Sequence, residues 1–262
     1  MSRVTIDVQN HIAVVTFNRP DKMNALDQEQ FLAIIEAGKK VAEDASVRVV
    51  VLTGEGRAFC AGLDVSSFSG GDAVDDPIIP RTYGIANKWQ QAAWTWRSCP
   101  VPVIAAVHGV AFGGGLQIML GADIKYIAAD TKLSIMEMKW GLIPDMAGTQ
   151  LMYHSVRDDI IRELTYTNRI FSGQQAVEYG FATHVSENPL DDAMALATEI
   201  AGKSPTAVVK AKKLLNEAPY TSVEDGLMLE SVLQDQTIKK KNQLEAVYSS
   251  MQKRAGNFED HR

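Results

Sequence analysis

The chain has only two cysteines, Cys60 and Cys99, among 262 residues. Two thiols cannot build the disulfide framework of a small secreted domain, and neither belongs to a C-x-x-C pair with zinc-ligand spacing. Small buried thiols are the expectation for both, and no metal site is expected. Cationic excess is also missing. Lys and Arg number 26 against 32 Asp and Glu, for a net charge of −6. Nucleic acid is held by concentrated positive charge, so it is not an expected partner. No run of about 18 apolar residues exists, so no membrane span is expected. Met1 to Asp7 contain no apolar segment of a secretory signal, and a reducing cytoplasm is the expected compartment. What is present suffices for a core without staples, since 46% of this length is hydrophobic. The length suits one large domain or a domain with a small appendage.

Apolar, β-branched runs read as strands at Val4 to Val8, Ile12 to Phe17, Arg48 to Thr53, Val101 to Val107 and Ile124 to Ala128. A helical stripe of Phe31, Ile34, Ile35, Gly38 and Val41 follows Asp27, which is placed as its N-cap. Leu116 to Leu120 reads as a short helix, and Thr82 to Arg97 as a longer one carrying Trp89, Trp94 and Trp96. Ser66 to Asp72 reads as a mobile loop beside it, suited to covering a pocket. From about Arg157 the pattern is helical almost throughout, with starts at Ser172, Leu190, Pro205 and Ser222. Alternating strands and helices imply crossover units.

Two of the strands run into glycine-rich turns. One is Gly54-Glu55-Gly56-Arg57-Ala58-Phe59-Cys60-Ala61-Gly62-Leu63-Asp64. The other is Val107-His108-Gly109-Val110-Ala111-Phe112-Gly113-Gly114-Gly115-Leu116-Gln117. Glycines there let a ligand approach the backbone and leave N–H groups free to point at it. Two such turns can hold one developing negative charge, as an oxyanion hole does.

These turns, together with Asn18-Arg19-Pro20 followed by Asn24-Ala25-Leu26, then Ala122-Asp123, Gly141-Leu142-Ile143-Pro144 and Gly148-Thr149-Gln150, resemble the crotonase superfamily. This is the enoyl-CoA hydratase/isomerase family, and the resemblance runs from about residue 4 to the end. It implies an α/β fold, a spiral of repeated ββα units over residues 1–198 holding an acyl-CoA site. A helical oligomerisation region at 199–262 would follow, making homotrimers or dimers of trimers. It also implies an acyl-CoA thioester as substrate, with coenzyme A entering as part of that substrate and no separate cofactor. The family's oxyanion donors match the backbone N–H groups of Leu63 and Gly114. Its coenzyme A contacts match Lys22, Met23, Ala61 and Leu63. Asp64, by the same resemblance, supports its turn.

The family's hydratases hold a water between two glutamates. Here the matching positions are Gln117 and Glu137. Glutamine can hydrogen-bond a water but cannot take or give a proton at neutral pH. Asp145 adds a carboxylate where hydratases carry glycine and the dienoyl-CoA isomerases carry aspartate. Those isomerases also carry an acid at the position of Gln117. The favoured expectation is double-bond isomerisation of an enoyl- or dienoyl-CoA, with Glu137 as acid/base and Asp145 and Gln117 beside it. The alternative is hydration of a trans-2-enoyl-CoA, with Gln117 holding the water.

Plainer roles stand against these. Glu137 can cap a short helix, Asp145 can be an N-cap, and Gln117 can be a structural amide. His108 reads as a satisfied structural histidine, Trp140 as core or pocket wall, and Lys253 and Arg254 as solvated tail charges. An RNA-binding role, which some crotonase relatives carry on a lysine-rich first helix, is opposed by Asp27, Glu29, Glu36, Glu43 and Asp44 against only Lys39 and Lys40.

Overall fold

The computed structural model describes residues 2–64 and 77–261. The loop expected at Ser66 to Asp72 lies outside the described residues. The strands are β1 (Val4–Gln9), β2 (Ile12–Phe17), β3 (Val49–Gly54), β4 (Val103–Val107), β5 (Val110–Phe112), β6 (Ile124–Ile127), β7 (Lys132–Ser134), β8 (Phe171–Ser172) and β9 (His184–Val185). The α-helices are α1 (Gln28–Glu43), α2 (Lys88–Ser98), α3 (Gly114–Leu120), α4 (Gly148–Met152), α5 (Asp158–Thr167), α6 (Gly173–Tyr179), α7 (Pro189–Ala201), α8 (Pro205–Glu217), α9 (Val223–Asp235) and α10 (Lys241–Met251).

One sheet has the order β1-β2-β3-β4-β6-β9, and a smaller one the order β5-β7-β8. Only the β1–β2 hairpin is antiparallel in the larger sheet; β3, β4, β6 and β9 are added in parallel. Strands buried on both faces need apolar residues at every position, and every residue of β3 and β4 is buried. Their side chains divide by parity. Val50, Leu52, Val103, Ala105 and Val107 join the main core, while Val49, Val51, Ile104 and Ala106 pack with Ala193, Ala197 and Ala201 of α7. The expected boundary at residue 198 therefore falls inside a helix that belongs to the sheet.

The first helix forms as expected, with the Asp27 side chain accepting from Gln30 N–H. The helix expected over 82–97 does not begin until Lys88. Gly84 adopts φ +67°, Tyr83 and Ala86 form an isolated bridge, and Asn87 with Gln90 builds a capping box that starts the helix late. The last third is helical as expected, apart from the two-residue strands β8 and β9.

A buried lysine helps to pin α8 to the core. Lys212, on α8, donates to the carbonyls of Trp96 and Val101 and to Asp123 Oδ2 at 2.7 Å. Asp123 Oδ2 also accepts from Val103 N–H, where β4 begins. Lys212→Met would leave two carbonyls and a carboxylate without their shared cation. Breaking a buried pair by removing one partner costs about 3 kcal/mol. Chemical denaturation should show that loss, and a loss below about 1 kcal/mol would mean that Arg97, 4.0 Å from Asp123, takes over the role.

Candidate active site

The two glycine-rich turns lie side by side, laced by backbone hydrogen bonds. Phe59 N–H donates to His108 O, Cys60 N–H to Val110 O, and Phe112 N–H to Cys60 O. The first turn is tied to the N-terminal region by Leu26 N–H to Gly62 O and Asp64 N–H to Leu26 O. Gly62 has φ +84°, and a methyl there would stand 2.5 Å from Phe112 O and 3.7 Å from Gly114 N. Only glycine permits that approach. Gly114 is the first residue of α3, where helix geometry provides no partner for its N–H. Leu63 N–H donates to no backbone carbonyl among the described residues.

Fully buried Asn24 fastens the Asn-Arg-Pro turn to the first glycine turn, donating to Glu55 O and Ala58 O and accepting from Arg19 N–H. Arg19 pairs with Asp64 at 2.8 Å, so Asp64 braces the turn as expected. His108 Nε2 bonds Gly56 O at 2.9 Å, a structural contact. Both cysteines are buried, and burial pushes the Cys60 thiol up to about 12, which removes it as a nucleophile at neutral pH.

Gln117 projects from α3 and is 1% exposed. Its Oε1 accepts from the N–H groups of Met146 and Gly148, both at 2.9 Å. Its Nε2 donates to Glu137 Oε1 at 2.6 Å. The partners set the amide orientation, because backbone donors require the oxygen and the carboxylate requires the nitrogen. Glu137 opens a 3-10 turn, Glu137–Trp140, whose N-cap is Met136, so it is not a cap. Its Oε2 is buried with no hydrogen-bond partner. Burial pushes the Glu137 carboxyl above its ordinary value. Its own backbone N–H and the Gln117 amide oppose that rise, and the charge of Asp145 adds to it. Asp145 is also raised by burial against surrounding protein, though its residue keeps open access to water. The helix that follows it, α4, has Ala147 at its N-cap and no side-chain cap, so Asp145 caps nothing.

Glu137 and Asp145 line one cavity of about 330 Å³, whereas Gln117, expected beside them, is buried outside its lining. That lining includes Ala61, Gly62, Leu63, Gly113 and Gly114 from the glycine turns, Trp140 beside Glu137 and Asp145, and the rings of Phe31 and Trp89. Of the expected coenzyme A contacts, Ala61 and Leu63 line it, Met23 O accepts from Ala61 N–H, and Lys22 lies outside on its 3-10 turn. Asp145 also borders a second cleft of about 1100 Å³ between α2 and α8. Arg254 is exposed, as expected, and pairs with Glu245. No helix among the described residues is long and apolar enough to cross a membrane.

The model of the enoyl-CoA hydratase/isomerase family matches residues 7–261. The chain belongs to this family. Human mitochondrial Delta(3,5)-Delta(2,4)-dienoyl-CoA isomerase is 33% identical over 239 residues, covering 86% of this chain and 71% of that protein. A probable enoyl-CoA hydratase of Bacillus subtilis is 30% identical over 261 residues, covering 98% and 99%. The crystal structure of an enoyl-CoA hydratase from Bacillus anthracis superposes with TM-score 0.89 at 28% identity, covering 99% and 100% of the two chains. The fold is thus crotonase-like, and the chain is an enoyl-CoA hydratase/isomerase-family enzyme. Sequence reasoning placed Phe31 only in a core stripe. It meets Trp89 edge-on, centroids 4.8 Å apart, and both line the cavity; no sequence period signals that pairing.

Proposed function

We propose that this enzyme moves a double bond within an enoyl- or dienoyl-CoA thioester. Glu137 Oε2 removes a proton from an acyl carbon, and the electron pair shifts onto the thioester oxygen. The N–H groups of Leu63 and Gly114 hold the resulting enolate. The pair then returns to form the shifted double bond as a proton is delivered to a second carbon, by Glu137 itself or by Asp145. The observation that carries this reading is Gln117. Its oxygen is taken by two backbone donors and it has no proton to transfer, so one buried carboxylate stands where two-acid hydration needs a pair. Coenzyme A arrives on the substrate, with Lys22, Met23, Ala61 and Leu63 as its backbone and rim contacts. Proton transfer through an enolate needs no resident cofactor. Apolar side chains exposed on α9 and α10, such as Leu227, Met228, Val247 and Met251, suit burial in a homotrimer or a dimer of trimers.

Hydration of a trans-2-enoyl-CoA is the second reading, favoured by the unpartnered Glu137 Oε2, which can hold a water. Mass spectrometry of a medium-chain trans-2-enoyl-CoA incubated in heavy water separates the two. Deuterium uptake without added mass of water is the expected result. Gain of one water, lost in Glu137→Gln, would establish hydration instead.

A further inference from the structure

We propose that Gln117 is a positioning residue, joining the base Glu137 to the 146–148 turn behind Asp145 and fixing which carboxyl oxygen of Glu137 faces the acyl chain. The inference rests on the reading of Glu137 as the base. It begins with what holds Glu137 in place. The Glu137–Trp140 turn has no side-chain cap, and residues 138–143 are exposed. Gly141 at φ +70° and Ala147 at φ +64° make the following segment irregular. Such a stretch has little packing to define it. Gln117 supplies the missing anchor, since every residue of α3 is buried. From that helix one amide reaches two N–H groups of the irregular segment and one oxygen of the base. The fit is tight, because a methyl at Gly148 would stand 2.4 Å from Gln117 Oε1. With Oε1 of Glu137 engaged, only Oε2 is left to meet a substrate.

A carboxylate at position 117 would accept the same two N–H groups. It would also need a proton to donate to Glu137, and it would place a second acid against the first. Glutamine keeps the anchoring and removes the proton. Among the described residues the charged groups around Glu137 are few. Asp145 acts on it from the 141–147 segment, and Lys139 lines the same cavity from its own turn. On α5, which packs against that turn, Asp158 pairs with Arg162 and Glu163 with Arg169.

The test titrates the Glu137 carboxyl directly by carbon-13 NMR in full-length protein without substrate, with Glu137→Gln to assign the signal. Gln117→Met should move the Glu137 midpoint to higher pH, because a donor to the carboxylate is lost. It should lower kcat about 10- to 100-fold, leave KM within about 3-fold, and shift the acidic limb of kcat upward with the midpoint. Gln117→Glu keeps both backbone acceptor bonds and should raise the midpoint further, since two carboxyls then share one proton. It serves as the second variant should the methionine protein fail to fold. An unmoved midpoint in the folded variants would reduce Gln117 to packing and overturn the proposal. Wild-type protein that neither exchanges deuterium nor adds water would overturn the base reading separately, while the NMR titration still reads the Gln117 contact.

Discussion

Glu137→Gln lowers kcat roughly 10²- to 10⁴-fold with KM nearly unchanged, the range for losing a positioned acid/base. The substitution is close to isosteric. Its oxygen can accept from Gln117 Nε2 as Glu137 Oε1 does, and its nitrogen takes the place of Oε2, so the loss reports proton transfer rather than collapse. Stability supplies an independent check with a defined sign. Burial raises the Glu137 carboxyl in the folded state above its unfolded value. Its contribution to stability is therefore complete below the ordinary carboxylate range and is lost as pH rises through the folded value. As pH rises through that folded value the wild type acquires a buried, half-satisfied charge that glutamine never carries. The variant should melt above the wild type near pH 7, and the difference should vanish near pH 4. Turnover within about 3-fold of wild type would remove Glu137 from the chemistry. A variant less stable than wild type at pH 7 would mean that the charge is better compensated than its bare Oε2 indicates.

The same residues show how far the sequence could be read. β3 and β4 announce themselves because burial on both faces demands unbroken apolar runs. The glycine turns are legible because a positive φ at Gly62 and a 2.5 Å approach to Phe112 O leave no other residue type. Asp27 is a cap by type and position and accepts from Gln30 N–H as expected, and the helix expected to start at Ser172 does so, with Ser172 as its cap. The failures are long-range or conformational. The partners of Gln117 lie 20, 29 and 31 residues away, so its role depends on packing that no local pattern encodes. Asp145 after Pro144 looks like a cap, yet Ala147 takes the left-handed conformation at the helix start. The aromatic run before Arg97 looks helical from Thr82, but the Asn87 capping box outweighs periodicity. β8 and β9, at two residues each, are too short to show any period.

Gly114→Pro is the substitution that isolates the proposed enolate donor. Position 114 is the first residue of α3, where proline's fixed φ suits a helix and its missing N–H breaks no intrahelical bond. What disappears is the N–H beside Gly62. Bulk must be separated from that loss, because a methyl at 114 would meet Met146 Sδ at 2.7 Å and Leu26 Cδ1 at 2.8 Å. Both belong to buried side chains, which must shift to admit it. Gly114→Ala adds this bulk and keeps the donor, so the comparison runs from alanine to proline. Proline also restrains Gly113, at φ +48° and ψ −117°, so circular dichroism must first show the helix content retained. One lost oxyanion donor costs about 10²- to 10³-fold in kcat. The fall belongs in kcat rather than KM, because the oxygen carries full negative charge only after the proton has left. A folded proline variant within about 5-fold of the alanine variant would show that Leu63 N–H alone carries the enolate, or that no enolate forms. Deuterium exchange in the proline variant separates those outcomes, since only the first preserves it.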